Sequence, residues 1–225
     1  MNRKSIVLSF TALILISVAL AVYYFVRATP DVPQRAAHPT PSETSSHAAD
    51  RGQLTRFHSP SIGPRTAPVT IVEFFDPSCE ACRAFHPEVK RILADYPDSV
   101  QLVLRYVLFH RGSEEVSRIL ETARRQELFE PVLDAVLAAQ PAWHDDPQVI
   151  AAWDAAERAG LDVEEARSDM MDSAIDAVLE MDMSDAKAVG IRGTPTFFVN
   201  GTQLRRLGPA PLRELVEQKI AEAAE

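Results

Sequence analysis

The sequence predicts an α/β domain with an inserted helical subdomain, preceded by an N-terminal transmembrane helix and a disordered linker. Three observations carry this expectation. Two strand-like segments flank a helical one early in the folded part. Residues 114–189 then show apolar residues only at helical spacing. After them a strand pattern returns, built around an Asn-Gly turn. With 225 residues, 46% of them hydrophobic, the chain can bury a sizeable core. Its net charge of -9 and pI near 5.2 argue against nucleic acid as a partner, because phosphate binding needs a basic surface.

Residues 1–27, "MNRKSIVLSFTALILISVALAVYYFVR", read as a signal anchor. Arg3 and Lys4 open it, and no charge follows from Ser5 to Val26. At about 1.5 Å per residue that run reaches roughly 33 Å, enough for a bilayer core. Tyr23 and Tyr24 lie where an interfacial belt belongs, and Arg27 closes the run. The basic start predicts a cytoplasmic N-terminus with the rest of the chain outside. A cleaved signal peptide is the rival, since Ala19-Leu20-Ala21 has the small-x-small form of a cleavage site. Both readings put the later cysteines in an oxidising compartment. Residues 28–53 are rich in Pro, Ser, Thr and Ala without a hydrophobic period, the pattern of a disordered tether. His38 and His47 lie in it with no second ligand at a useful spacing.

Residues 54–112 carry the first part of the α/β domain. "APVTIVEFF" is nearly continuous in apolar character, which suits a strand buried on both faces. Val69, Ile71, Glu73 and Phe75 share one face of it. "CEACRAFHPEVKRILADY" has a helical period through Cys82, Phe85, Val89, Ile92 and Leu93, and Pro97 stops it. "SVQLVLRYVLF" reads as a second buried strand, so strand, helix and strand make a right-handed βαβ unit. Residues 113–188 form the helical insertion, with Trp143, Trp153 and the Met170/Met171 pair as its core. Residues 189–225 complete the α/β domain. Asn200-Gly201 between apolar strands signals a hairpin, and "APLRELVEQKIAEAAE" an amphipathic closing helix.

The chemistry lies in "FFDPSCEACRAFHP", which holds the only two cysteines, Cys79 and Cys82. Cys79 follows a strand and opens a helix, where unpaired N–H groups and the helix dipole favour a thiolate. Cys82 is one turn on, facing the same side. A structural staple is a weak reading, because so short a loop removes little unfolded-state entropy. Zinc needs about four ligands, and Cys79, Cys82 and His86 offer three without a second pair. Covalent haem needs His directly after the second Cys, where Arg83 stands. A redox couple fits best, and carriage of copper(I) or zinc by soft thiolates remains the alternative. His86, one turn beyond Cys82, reads as helix surface or groove lining. No cofactor is called for.

"VEFFDPSCEAC" resembles the active-site segment of the thioredoxin superfamily, in particular the DsbA-like thiol-disulfide oxidoreductases. Gly193-Thr194-Pro195 resembles the family's cis-proline loop, Pro87 its helix-kinking proline, and the helical block the DsbA-like insertion. The resemblance covers residue 54 to the C-terminus and implies a thioredoxin-like fold. It implies an exposed nucleophile at Cys79 and a buried resolving thiol at Cys82. It implies a buried acid at Glu73 as proton relay, and substrate pairing at Thr194 and Pro195. It implies a periplasmic enzyme of the cell envelope, held to the inner membrane by its helix. Its clients would be unfolded proteins with free thiols, and a quinone-linked DsbB-type membrane protein would reoxidise it. The oxidase direction is favoured over reductase or isomerase, because isomerases of the superfamily dimerise through an added domain and residues 27–53 do not look like one.

One departure concerns the dipeptide between the cysteines, Glu80-Ala81. Strongly oxidising relatives carry His there. Glu80 works against a thiolate on Cys79 and Arg83 offsets part of that, so the expected couple is less oxidising than the His-bearing relatives.

Overall fold

The computed structural model of the chain describes residues 51–224. The predicted anchor, the Ala19-Leu20-Ala21 site and most of the predicted linker lie outside these residues. Among the described residues no helix is long and apolar enough to cross a membrane.

The described chain opens with a short helix, α1 (Arg51–Leu54), at the end of the segment read as linker. Leu54 is buried there, packed with Val72, Phe74 and Val103. The strands are β1 (Ser61–Ile62), β2 (Val69–Phe75), β3 (Val100–Tyr106), β4 (Thr196–Val199) and β5 (Thr202–Gln203). They form one sheet in the order β1-β3-β2-β4-β5. β2 and β3 pair in parallel from Val69↔Val100 to Phe75↔Tyr106, and the remaining pairs are antiparallel. Helix α2 (Glu80–Asp95) crosses between β2 and β3, as the βαβ pattern requires. It buries Cys82, Val89 and Ile92 and runs through Pro87.

Five helices, α3 (Ser113–Arg125), α4 (Phe129–Trp143), α5 (Ile150–Arg158), α6 (Val163–Asp169) and α7 (Ser173–Val189), fill the stretch between β3 and β4. Asp162 and Asp172 cap α6 and α7 by accepting first-turn backbone N–H bonds. Trp143, Trp153 and Met170 are buried, whereas Met171 is 75% exposed and is not part of the core expected of the pair. The Asn200-Gly201 turn has φ of 46° and 82°, the positive values that a two-residue hairpin needs. Asn200 also reaches back to β2, accepting from the Thr70 N–H through Oδ1 and donating to Pro68 O through Nδ2. Helix α8 (Pro209–Ala223) closes the domain and buries Leu212 and Val216.

The sheet has two different faces. Val69, Ile71 and Phe75 of β2 pack with α2, α8 and the helical insertion in one large cluster. Val72, Phe74 and Val103 pack with Leu54, Ala186 and Ile191 in a smaller one on the other side. That smaller side also holds a buried cation. The Arg105 side chain on β3 has no solvent exposure. It donates through Nε to Asp182 Oδ1 at 2.8 Å, through Nη2 to Asp185 Oδ2 at 2.6 Å and through Nη1 to Gln53 O at 2.5 Å. Asp182 also accepts from the Tyr106 N–H at 2.8 Å and lies 3.0 Å from His58 Nε2. Asp185 takes a second cation, Arg56. This network ties α1, β3 and α7 together.

A buried charge stripped of its partner is strongly destabilising. Asp182→Ala removes one acceptor of Arg105 and the partner of the Tyr106 N–H together. It is expected to cost about 3–5 kcal/mol, equally in the dithiol and disulfide forms, because the network lies across the sheet from the cysteines. Urea unfolding of both forms measures this.

Candidate active site

The site forms where β2 ends. The strand delivers Glu73 into the larger core, and Asp76-Pro77-Ser78 turns the chain into α2, with Cys79 as the residue that caps it. Cys79 has extended backbone (φ -76°, ψ 120°) and accepts the first helical bond from the Arg83 N–H at 3.1 Å. Its thiol donates to Thr194 O at 3.2 Å. Thr194-Pro195 is a cis peptide bond, and Pro195 is buried. Both cysteines are free thiols.

Three coupled ionisations define the chemistry. The Cys79 thiol is lowered to about 5, chiefly because the Cys82 thiol donates to its sulfur. The Thr194 side chain and the backbone N–H groups of Cys82 and Ala81 act in the same sense, against the opposing effect of burial. The Thr194 hydroxyl has no other partner, so it is free to donate to a thiolate. Cys82 is wholly buried, and its thiol is pushed far up by desolvation, by its bond to Cys79 and by the charge of Glu73. Glu73 is 3% exposed, and burial, then the Cys79 charge, pushes its carboxyl up to about 8. Near neutral pH the preferred state is therefore a thiolate on Cys79 with protons on Cys82 and Glu73.

The structure thus brings Glu73, Cys79, Cys82 and Thr194 together. Cys79 is only 7% exposed, more covered than the exposed nucleophile expected from the sequence. It opens onto a groove of about 460 Å³ lined by Ser78, Glu80, Ala81, His110, Arg111, His144 and Asp145. Glu80 points outward, its side chain 68% exposed, with Oε1 3.5 Å from His144 Nε2. Arg83 turns into the protein and donates through Nε to Gln140 Oε1 at 2.9 Å. His86 lies 2.7 Å from Asp134 Oδ1 on α4, so it is engaged by the insertion rather than by the thiols. Among the described residues no group of three or more His, Cys, Asp or Glu side chains is arranged to hold a metal ion.

Sequence reasoning missed Asp76. Its buried carboxylate accepts from the Ser78 N–H at 2.8 Å, the Ser113 hydroxyl at 2.6 Å and the Phe109 N–H at 2.9 Å. It also accepts from the His110 N–H at 3.2 Å and lies 2.7 Å from His110 Nδ1. One carboxylate thus holds both the turn before Cys79 and the Phe109–Gly112 loop that walls the groove. Asp-Pro-Ser after a strand is an Asx-turn signature, and that was the available signal. The His110 partnership is not written in local sequence. Gly112 begins α3 at φ 78°, and a Cβ there would meet Val149 Cγ1 at 2.8 Å.

A thioredoxin fold with a cysteine pair at a helix N-terminus, faced by a cis-proline loop, defines the class of thioredoxin-fold dithiol proteins. A family model described as Thioredoxin matches residues 56–218, and the chain belongs to that family. It is 24% identical over 170 residues to a Rickettsia conorii protein provisionally named protein-disulfide oxidoreductase RC0029, covering 73% of this chain and 61% of that one. It is 33% identical over 143 residues to the Na(+)/H(+) antiporter NhaA of Herminiimonas arsenicoxydans, covering 64% of this chain and 22% of the antiporter. The chain therefore spans about a fifth of the length of the antiporters it matches. Among solved structures, a thioredoxin-like oxidoreductase from Silicibacter pomeroyi DSS-3 superposes with a TM-score of 0.68 at 28% identity, covering 76% of this chain and 97% of that one.

The opposed shifts of Cys79 and Glu73 give a pH signature. The lowered Cys79 stabilises the folded dithiol fully above the ordinary thiol value of 9.0, and this is lost as pH falls toward 5. The raised Glu73 stabilises the fold below its ordinary 4.5, and this is lost as pH rises toward 8. Between about 5 and 8 the two slopes cancel. Reduced Glu73→Gln is therefore expected to gain stability with rising pH across that window, and Cys79→Ser to lose it. Urea midpoints at several pH values report the signs.

Proposed function

We propose that this chain is a thiol-disulfide oxidoreductase that works outside the cytoplasm, in the cell envelope, and oxidises client proteins. One observation carries the reading: the Cys79 sulfur sits at the mouth of α2, 3.2 Å from Thr194 O beside the cis-proline, with the Cys82 thiol buried behind it, a setting that lowers the Cys79 thiol to about 5 and pushes the Cys82 thiol up. A low-pKa sulfur leaves easily from a disulfide, and stabilising it in the reduced form makes the pair a stronger oxidant. The RC0029 relative supports the activity. The basic start and the uncharged run from Ser5 to Val26 support the location and an inner-membrane anchor.

The reaction balances as follows. A client thiolate attacks Cys79 Sγ of the disulfide form, and the Cys79–Cys82 bond breaks. Cys82 leaves as a thiolate and takes a proton, for which Glu73, neutral up to about pH 8, is the placed donor. A second client thiolate attacks the client sulfur of the mixed disulfide and expels the Cys79 thiolate. The client loses two electrons and forms a disulfide, and the enzyme gains them as a dithiol. The client backbone passes beside Thr194, whose carbonyl lies 3.2 Å from the Cys79 sulfur. Restoring the disulfide needs an oxidant, for which a quinone-linked membrane protein of the DsbB type is the proposed source. Glu80 and Arg83 have secondary parts in this scheme: Glu80 faces His144 in the groove, and Arg83 acts through Gln140.

The test has two arms. Equilibration with glutathione should give a potential well above the roughly −270 mV of thioredoxin, and the disulfide form should oxidise a reduced, unfolded model protein. Cys79→Ser and Cys82→Ser should each abolish that activity, because neither can form the disulfide, and Glu73→Gln should slow attack of the client thiolate by about a hundredfold, the low end of general-acid effects. A potential at or below that of thioredoxin would point to a reductase and sink the oxidase direction.

A further inference from the structure

We propose that Gln140, on the inserted helix α4, is a positioning residue that fixes the backbone of the nucleophile Cys79. The inference rests on the functional reading above only in naming Cys79 the nucleophile. Gln140 occupies the buried face of α4 beside Val136, Leu137 and Trp143, where the helical pattern calls for an apolar side chain. It has no solvent exposure. A buried amide is tolerated only where its hydrogen-bonding groups are matched. Here Nε2 donates to Pro77 O at 2.7 Å and to Cys79 O at 3.1 Å, while Oε1 accepts from Arg83 Nε at 2.9 Å.

The two carbonyls flank Ser78, so one side chain spans the whole turn that carries Cys79 onto its helix. The Cys79 carbonyl is also the acceptor of the first helical bond, from the Arg83 N–H. Gln140 therefore shares that acceptor and pins the extended conformation of Cys79. In that conformation the sulfur faces the N–H groups of Ala81 and Cys82, which stabilise its anion. Asp76 holds the same turn from the opposite side, through the N–H of Ser78 and, by its own carbonyl, the N–H of Cys79. The Arg83 charge polarises the amide and strengthens both donations. The α/β part of the chain supplies the thiols, and the insertion supplies their placement.

A purely structural amide would support the dithiol and disulfide forms alike. A positioning amide favours the dithiol, because only there does a thiolate need the first-turn N–H groups. Thiolate absorbance of the reduced protein is titrated in wild type, Gln140→Met and Gln140→Asn, and urea stability is measured in both redox forms. Gln140→Met keeps the volume and removes every bond. It should raise the Cys79 midpoint by about one pH unit, a tenfold weaker ionisation constant, read from the titration curve between about pH 4 and 8. The glutathione equilibrium should move toward the disulfide by the same order, and the dithiol should lose more stability than the disulfide. Gln140→Asn keeps the amide one methylene short of both carbonyls and should move the midpoint the same way by less. Unchanged midpoints with equal stability losses in the two forms overturn the proposal. If the Met variant does not fold, an unchanged midpoint in the Asn variant does so alone. No client is needed for these readouts, so a wild type unable to oxidise thiols refutes the functional reading and leaves this test intact.

Discussion

The site depends on a division of one negative charge between two buried groups. Glu73 lies in the low-dielectric end of the larger core, where the Cys79 charge raises the cost of ionising it and its own charge would raise that of ionising Cys82. Cys79 takes the charge because it alone sits at the helix mouth, where N–H groups, the Cys82 thiol and the Thr194 side chain converge on its sulfur. Glu73, one strand turn deeper, has no such donors and stays protonated into the neutral range. The consequence is directional. In the proposed oxidase reaction, a proton rests beside the sulfur that would accept one when the disulfide opens, and the anion rests on the sulfur that would leave when the mixed disulfide resolves. Exchanging the two environments would leave the same atoms without that sequence of events.

That division requires a rigid turn between β2 and α2, and the rigidity comes from outside the turn. Asp76 anchors it to the loop after β3, and the loop is pinned in turn by Ser113 and His110. Gln140 anchors it to the helical insertion. These contacts join residues far apart in the chain, so the placement of Cys79 is a property of the tertiary structure. The groove wall and the Cys79 turn hang from the same carboxylate.

This explains what was legible beforehand. The βαβ order, the helical insertion, the Asn-Gly hairpin and the inward face of Glu73 follow from spacing of two or 3.6 residues, and such patterns are local, whereas the division of the insertion into five helices was not read from them. The nearness of Thr194 to Cys79 was legible only through resemblance, since nothing in either segment points to the other. Asp76 announced its turn but not its long-range partners. Arg105 was hidden inside a strand that reads as apolar, because a buried cation shows itself only when Asp182 and Asp185 arrive from a helix more than seventy residues later. Glu80, expected to work against a thiolate on Cys79 with Arg83 offsetting part of the effect, has an exposed carboxylate that faces His144, where water screens it.

Glu73 and Arg105 make an instructive pair, because they lie on neighbouring parallel strands one register step apart, Glu73 opposite Leu104 and Phe74 opposite Arg105. Side-chain alternation sends them to opposite faces of one sheet. Both are buried ionisable groups, yet they do opposite work. Arg105 meets two carboxylates, a carbonyl and the Phe74 ring, with its guanidinium 5.7 Å from the ring centroid. A cation so fully matched locks α1, β3 and α7 in place. Glu73 meets apolar neighbours and a thiolate, so its charge is unmatched and its proton can be exchanged near neutrality. Burial alone therefore does not mark a functional group. What separates the two is whether the surroundings compensate the charge, and by that criterion the chemistry belongs to the Glu73 face and the mechanical load to the other.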